Sequence, residues 1–327
     1  MISLKTWEAA IVEADRLIGP YITRTPVLRS NSLSGLAGFT VWLKCEQLQP
    51  TGSFKIRGAA NALVKIMATE QNRRAVTYST GNHGLAVTYM CHQFGIGSTI
   101  FISHQVPENK VEKLRSLGAD VIVEGDSQDE AQKMAEMFAH DQRLPVIPPF
   151  DDPAVIAGQG TIGLELLGQI PNLAHVMVPL SGGGLVSGIA ALIKSRRPDI
   201  QVIGVSMERA PVMYESVRQG HPVELEEENT VADSLQGGIG LNNRYTFNMV
   251  QRMVDRIVLV SEVEISQAIA YLALYEGLIV EGAAAVVVAC FLKERSTLVG
   301  PTALILTGRN VDFGAVCLAT KQYEVIV

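Results

Sequence analysis

The run Val176-Met177-Val178-Pro179-Leu180-Ser181-Gly182-Gly183-Gly184-Leu185-Val186-Ser187-Gly188-Ile189-Ala190-Ala191-Leu192-Ile193 carries no charge over 18 residues and admits two readings. As one helix it would be long and apolar enough to be tested as a membrane span. Pro179 and the Ser181-Gly182-Gly183-Gly184 turn fall in its middle, where they would break such a helix. Read instead as a buried strand (His175–Pro179), a glycine turn and a buried helix (Leu185–Arg196), every residue has a place. That reading decides the fold class. An apolar strand turning through glycines into an apolar helix is the unit of a parallel sheet covered on both faces.

The same unit recurs on either side. Upstream, Ala75–Tyr78 precedes a helix from His83 to Phe94, Ser98–Ile102 precedes Lys110–Leu117, and Val121–Val123 precedes Ser127–His140. Downstream, Val202–Val205 leads into Ala210–Arg218 and Ile257–Val260 into Glu262–Glu276. A helix over Ala283–Leu292 then precedes the strand Ala303–Leu306. Apolar Trp7, Ala10, Ile11, Ala14, Leu17 and Ile18 predict an N-terminal helix over Thr6–Ile18 that Gly19-Pro20 ends, and Val41–Cys45 an early strand. The alternation predicts an α/β protein. It loosens at Pro148-Pro149-Phe150-Asp151-Asp152-Pro153, which reads as a linker, and at Gly220–Asn229, which reads as a charged surface loop.

Composition narrows the function. With 327 residues, 47% of them hydrophobic and 18% charged, the chain has the mass for about two domains and a large core, which excludes a disordered or coiled-coil protein. Its 27 basic and 33 acidic residues give a net charge of −6 with no Lys/Arg block, arguing against nucleic acid or an anionic membrane as partner. Cys45, Cys91, Cys290 and Cys317 lie far apart, outside any CxxC or Cys/His cluster, and read as reduced residues. Met1–Glu8 is charged and lacks an apolar signal core, so a cytoplasmic protein is expected.

Three turns carry the chemistry. In Pro50-Thr51-Gly52-Ser53-Phe54-Lys55-Ile56-Arg57-Gly58, a lysine opens a helix expected to begin near Arg57. The positive end of that helix favours a neutral amine, the form needed for Schiff-base chemistry. Ser79-Thr80-Gly81-Asn82-His83-Gly84 aims backbone N–H groups and short polar side chains at one point, suiting a carboxylate or phosphate. Ser181-Gly182-Gly183-Gly184-Leu185 lets the backbone wrap an anion at a helix N-terminus. Gly182, Gly184 and Gly188 approximate a dinucleotide fingerprint, but its third glycine position holds Ser187 and no acid ends the next strand at Val205-Ser206.

Thr51-Gly52-Ser53-Phe54-Lys55-Ile56-Arg57-Gly58-Ala59, Ser79-Thr80-Gly81-Asn82-His83 and Ser181–Leu185, in this order, resemble the fold-type II pyridoxal-phosphate enzymes of tryptophan synthase β-like fold. Within them the chain is similar to the threonine/serine dehydratases and serine racemase. Pro153–Thr161 and Thr307-Gly308-Arg309-Asn310-Val311-Asp312 support the match. Ala232–Gly240, with Val205–Arg209, resembles the hydroxyectoine-utilisation dehydratases. The resemblance implies two domains, each with a mostly parallel sheet flanked by helices: a large cofactor-binding one of residues 1–51 and 149–327, and a small one of residues 52–148. It implies pyridoxal 5′-phosphate as cofactor, a small amino-acid substrate and a homodimer. Lys55 would be the Schiff-base lysine and the base. Phe54 would lie beside the ring and Asn82 at its 3′-oxygen. Ser181, Gly182, Gly183, Gly184 and Leu185 would hold the phosphate, and Thr307 the ring nitrogen. Ser79, Thr80, Asn82 and His83 would receive the substrate carboxylate. The activity implied is loss of water and ammonia from a β-hydroxy amino acid, giving a 2-oxo acid.

Several positions depart from the family pattern. Thr80 stands where the racemases have a catalytic serine; it keeps the hydroxyl and adds a methyl group. Leu85 replaces a glutamine and Ser234 a glycine, two changes that bear on the substrate. Ser206 and Val212 stand where the racemase-type divalent site has carboxylates, so no metal is expected. Glu281 falls in the active-site wall without the proline that usually follows. Only 15 residues follow Asp312, too few for the regulatory domain of biosynthetic threonine deaminases. Three rival functions remain: serine racemisation, non-catalytic binding of the cofactor or an amino acid, and a nicotinamide-dependent oxidoreductase.

Overall fold

A computed structural model describes residues 2–69, 73–79, 81–104, 106 and 108–322. The chain opens with α1 (Leu4–Ile18), β1 (Val27–Ser30), α2 (Asn31–Ala37) and β2 (Val41–Cys45). It continues through α3 (Lys55–Thr69), β3 (Arg74–Thr77), α4 (Asn82–Gln93), β4 (Gly97–Ile102), α5 (Glu108–Ser116), β5 (Asp120–Val123) and α6 (Gln128–Gln142). Next come α7 (Pro153–Gln169), β6 (His175–Pro179), α8 (Gly184–Arg196), β7 (Gln201–Met207), α9 (Val212–Gln219), α10 (Thr246–Met253) and β8 (Arg256–Val260). The last elements are α11 (Glu262–Tyr275), α12 (Gly282–Glu294), β9 (Thr302–Leu306) and α13 (Phe313–Gln322). Helix starts are set locally by side-chain caps. Ser3 caps α1, Asp152 precedes Pro153 at the head of α7, and Ser261 with Glu264 forms a capping box on α11.

Six strands form one sheet in the order β1-β2-β9-β6-β7-β8, with β1 alone antiparallel, at one edge. Strands β3-β4-β5 form a second, parallel sheet. Alternate residues of the larger sheet enter different cores, as the twofold repeat of a strand requires. Met177 and Leu304 pack with α11 and α12, while Val176, Val178, Ala303 and Ile305 pack with α7 and α8. In the smaller sheet Val76 and Phe101 meet α6, Ala75 meets α3 and α4, and Ile100 and Ile102 meet α5. The α/β architecture expected from the alternation is the one observed.

Five elements were not expected from the sequence: β1, α2, α7, α10 and α13. The helix α7 is the instructive omission. It is buried along most of its length and contains Gly158, Gly160, Gly163 and Gly168, so it shows neither an amphipathic stripe nor good helix propensity. Its glycines serve close crossing: a Cβ on Gly158 would run into the Arg57 carbonyl of α3. Two helix starts also move. α3 begins at Lys55 rather than Arg57, and α9 begins at Val212, after Ala210 at φ +43°.

Candidate active site

In a parallel sheet, functional groups gather at the carboxyl ends of the strands. The β6–β9 pairing runs in parallel from His175↔Thr302 to Met177↔Leu304, so Leu180-Ser181 and Thr307 leave the two strands at the same edge of the sheet. The head of α3 is fastened to this edge. Phe54 N–H donates to the Thr307 carbonyl at 3.0 Å, and Arg309 N–H donates to the Gly52 carbonyl at 2.9 Å. Lys55 is therefore presented at the strand ends. Its Nζ donates to the Pro149 carbonyl at 2.8 Å and lies 5.4 Å from the Phe54 ring centroid. Burial pulls the amine down to about 8, and the Glu281 carboxylate partly opposes the shift. The neutral-amine expectation at Lys55 thus rests chiefly on desolvation, not on the helix dipole.

The expected linker does more than connect. Phe150 lies against the glycine turn: a Cβ on Gly182 would enter its ring, and one on Gly184 would stand 2.9 Å from its carbonyl oxygen. Asp151 accepts N–H bonds from Arg244 at 2.6 Å, Tyr245 at 2.9 Å and Thr246 at 2.8 Å, heading α10. Asp152 accepts from Ala154 and Val155 at 2.8 and 3.0 Å, heading α7. Pro149, Phe150, Asp151 and Asp152 thus strap Lys55, the glycine turn and two helices together. Sequence reasoning missed them because prolines and aspartates before a helix also mark an ordinary connection.

The glycine turn is open to an anion. Gly183 takes φ +85°, a left-handed conformation that glycine adopts without strain. The N–H groups of Ser181, Gly182 and Gly183 meet no acceptor among the described residues. Those of Gly184 and Leu185 lie in the first turn of α8, where no helical acceptor exists. The Leu185 side chain is buried in the core behind the turn.

At the end of β3, Ser79 is partly exposed and Asn82 is buried at the first position of α4. Thr80 lies outside the described residues. Asn82 Nδ2 donates to Glu281 Oε1 at 2.7 Å, and Asn82 Oδ1 accepts from Asn310 Nδ2 at 2.6 Å. His83 is 1% exposed, and its Nε2 lies 2.9 Å from the Ile147 carbonyl oxygen, which fixes Nε2 as the protonated nitrogen. Burial, with the nearby Lys55 amine, pushes its pKa down to about 3, so the ring is neutral at physiological pH. Among the described residues, then, contacts link Lys55, Pro149, Phe150, the glycine turn, Thr307, Glu281, Asn310 and Asn82.

A buried ionic network anchors the first turn of α3. Arg57 is fully buried and meets Glu46 through Nε and a terminal nitrogen, both at 2.8 Å, and meets Glu165 at 2.8 Å and Thr161 Oγ1 at 3.0 Å. Lys44 meets the other Glu165 oxygen and the Thr25 carbonyl. Burial opposes the charge of Arg57, but Glu46 and Glu165 outweigh it and hold the guanidinium ionised. Against this saturated network, two buried hydroxyls at the strand ends, Ser53 Oγ and Thr307 Oγ1, lack any hydrogen-bond partner. They are two of the twelve buried side-chain polar atoms without a partner among the described residues, and lie at the strand ends where Lys55 is presented.

A profile of the pyridoxal-phosphate dependent enzymes matches residues 18–308. The chain belongs to this family. Its cofactor is pyridoxal 5′-phosphate, and the residues fit that group: unclaimed N–H donors for a phosphate, a half-buried lysine with a lowered pKa, and an unpartnered hydroxyl at the end of β9. The chain is 40% identical over 302 residues to the L-threonine ammonia-lyase of Thermotoga maritima, covering 92% of this chain and 75% of that protein. The processed threonine deaminase isoform 2 of Solanum lycopersicum superposes with a TM-score of 0.90 at 32% identity, over 97% of this chain and 87% of that one. Maize serine racemase superposes with a TM-score of 0.89 at 31% identity, over 96% and 97%. No described helix is long and apolar enough to cross a membrane.

Proposed function

We propose that this enzyme is a dehydratase and ammonia-lyase for a β-hydroxy amino acid of the L-threonine or L-serine type, releasing a 2-oxo acid. The observation that carries the reading is the half-buried Lys55 amine, held on the Pro149 carbonyl and brought down to about 8 at the carboxyl edge of a parallel sheet. Pyridoxal 5′-phosphate, when bound, supplies an electron sink for the cleaved bond next to the amino group. Lys55 Nζ, with a pKa near 8, would attach the cofactor and, once the substrate's amino group has displaced it, would be free to accept the Cα proton. The N–H groups of Ser181 to Leu185 would hold the phosphate, and Thr307 Oγ1 would serve the ring nitrogen. A hydroxyl there, unlike a carboxylate, would not keep that nitrogen protonated, which would suit elimination. Phe54 packs beside the ring. Ser79, Thr80 and the head of α4 receive the substrate carboxylate. His83 takes part through the backbone, since its ring is buried on the Ile147 carbonyl.

Residues 52–148 form the smaller domain in this reading, supported by β3–β5 and α3–α6 all falling in that range. The working unit is a homodimer of cytoplasmic location. The test is 2-oxo acid release from L-threonine and L-serine by the cofactor-loaded protein, with Lys55→Ala as control. Release that vanishes in the variant is expected; a loaded enzyme that releases none refutes the reading. Chiral analysis of recovered serine distinguishes racemisation.

A further inference from the structure

The polarity of the bonds around Asn82 is fixed from both ends. A carboxylate only accepts, so the Asn82 atom facing Glu281 Oε1 at 2.7 Å must be its Nδ2. At the other end Asn310 Nδ2 donates to the Thr51 carbonyl at 3.0 Å and to Asn82 Oδ1 at 2.6 Å. The Asn82 amide therefore cannot flip without setting donor against donor. One of its two Nδ2 hydrogens serves Glu281, and the other meets no acceptor among the described residues.

Glu281 is itself held on several sides. It is 2% exposed and heads α12. Its N–H donates to the Gly308 carbonyl at 3.1 Å, and its Oε2 accepts from Asn310 N–H at 3.2 Å. Any side chain at 308 would strike Oε1, so the glycine next to Thr307 makes the space the carboxylate fills. The ionisable groups facing Lys55 are this carboxylate and His83.

We propose that Glu281 and Asn310 form a clamp that fixes the Asn82 amide with its second N–H presented to the cofactor's 3′-oxygen, which makes Glu281 a positioning residue. This rests on the reading that the cofactor is linked to Lys55. Glu281→Gln keeps the shape but sets an amide NH₂ against one of the donors it faces, Asn82 Nδ2 or Asn310 N–H. Asn310→Ala removes the opposite jaw at a half-buried position.

The experiment titrates pyridoxal 5′-phosphate into the cofactor-free protein. It follows affinity and the balance of the absorption bands that report ionisation of the 3′-oxygen. Glu281→Gln and Asn82→Ala are each expected to weaken binding about tenfold, and Glu281→Gln to shift the band balance. Together they are expected to cost no more than either alone, because Glu281 acts through Asn82. An additive loss of about a hundredfold, or an unmoved affinity and spectrum in Glu281→Gln, overturns the clamp. Should Glu281→Gln fail to fold by circular dichroism, Asn310→Ala carries the same cycle with the same expected and refuting outcomes. Lys55→Ala separates the two levels: loss of the visible band supports the underlying reading, and its persistence overturns that reading and the clamp with it.

Discussion

Replacing Lys55 by methionine is expected to make the cofactor-free protein more stable near neutral pH. Burial lowers the folded amine to about 8, against ~10.4 for an ordinary lysine. Between these values the unfolded chain binds more protons than the folded one, so wild-type stability rises with pH across the window. Below pH 8 the whole penalty applies, and the gap corresponds to about 3 kcal/mol. Methionine removes that penalty but also loses the 2.8 Å bond to the Pro149 carbonyl, a loss of about 1 kcal/mol. The net expectation is a gain of roughly 2 kcal/mol at pH 7 that shrinks to near zero by about pH 10. Denaturant unfolding of both proteins, freed of cofactor, at the two pH values measures it. A methionine variant no more stable at pH 7, or a difference indifferent to pH, would refute the claim that Lys55 is held against its charge.

Three other perturbations test the surroundings. Arg57→Met strands the buried Glu46 and Glu165 and should cost about 3–5 kcal/mol in denaturant unfolding; a loss under ~1 kcal/mol would mean the network is not dry. Thr307→Val keeps the shape and removes a buried hydroxyl without a partner, so the cofactor-free protein should melt no lower, or be up to ~1 kcal/mol more stable, while cofactor affinity falls about tenfold. A clear destabilisation of the cofactor-free form would show that the hydroxyl is already satisfied. Chelation by EDTA should leave activity unchanged. At the end of β7 Ser206 Oγ donates to Met207 Sδ at 3.7 Å, Val212 is buried and Glu208 faces Lys293, leaving no carboxylate cage; loss of activity reversed by Mg²⁺ would contradict this.

What the sequence made legible follows from how each element is stabilised. Strands such as β6 and β9 are buried throughout and, after His175 and Thr302, apolar because helices cover both faces, and that pattern is local. The turn at Gly183 is legible for the same reason, since a left-handed residue demands glycine where it stands. α7 was illegible because it has no solvent face: packed against α1, α3 and α8, it replaces an amphipathic stripe with glycines whose purpose lies in the neighbours. The short edge strand β1, only four residues paired to β2, carries too little pattern to be read.

The site divides along the same line, and the division explains why its positioning residues were harder to find than its donors. Lys55 and the 181–185 turn announce themselves through residue types that chemistry requires at one place. Glu281, Asn310 and the Pro149–Asp152 strap have no such signature, because each acts on a residue distant in the chain. Glu281 reaches Asn82 across 199 positions, and Asp151 reaches the head of α10 across 93 to 95. The contrast in hydrogen bonding points the same way. Around Arg57 every charge has a partner, as a purely structural network must. A few residues away, Ser53 Oγ, Thr307 Oγ1 and the N–H groups of the glycine turn are left open at the strand ends. Because they gather at the edge that also carries Lys55, they are the groups that a bound ligand would meet. Their disposition, donors and hydroxyls at the ends of the strands beside a lysine whose pKa is lowered to about 8, is that of a site completed by its ligand.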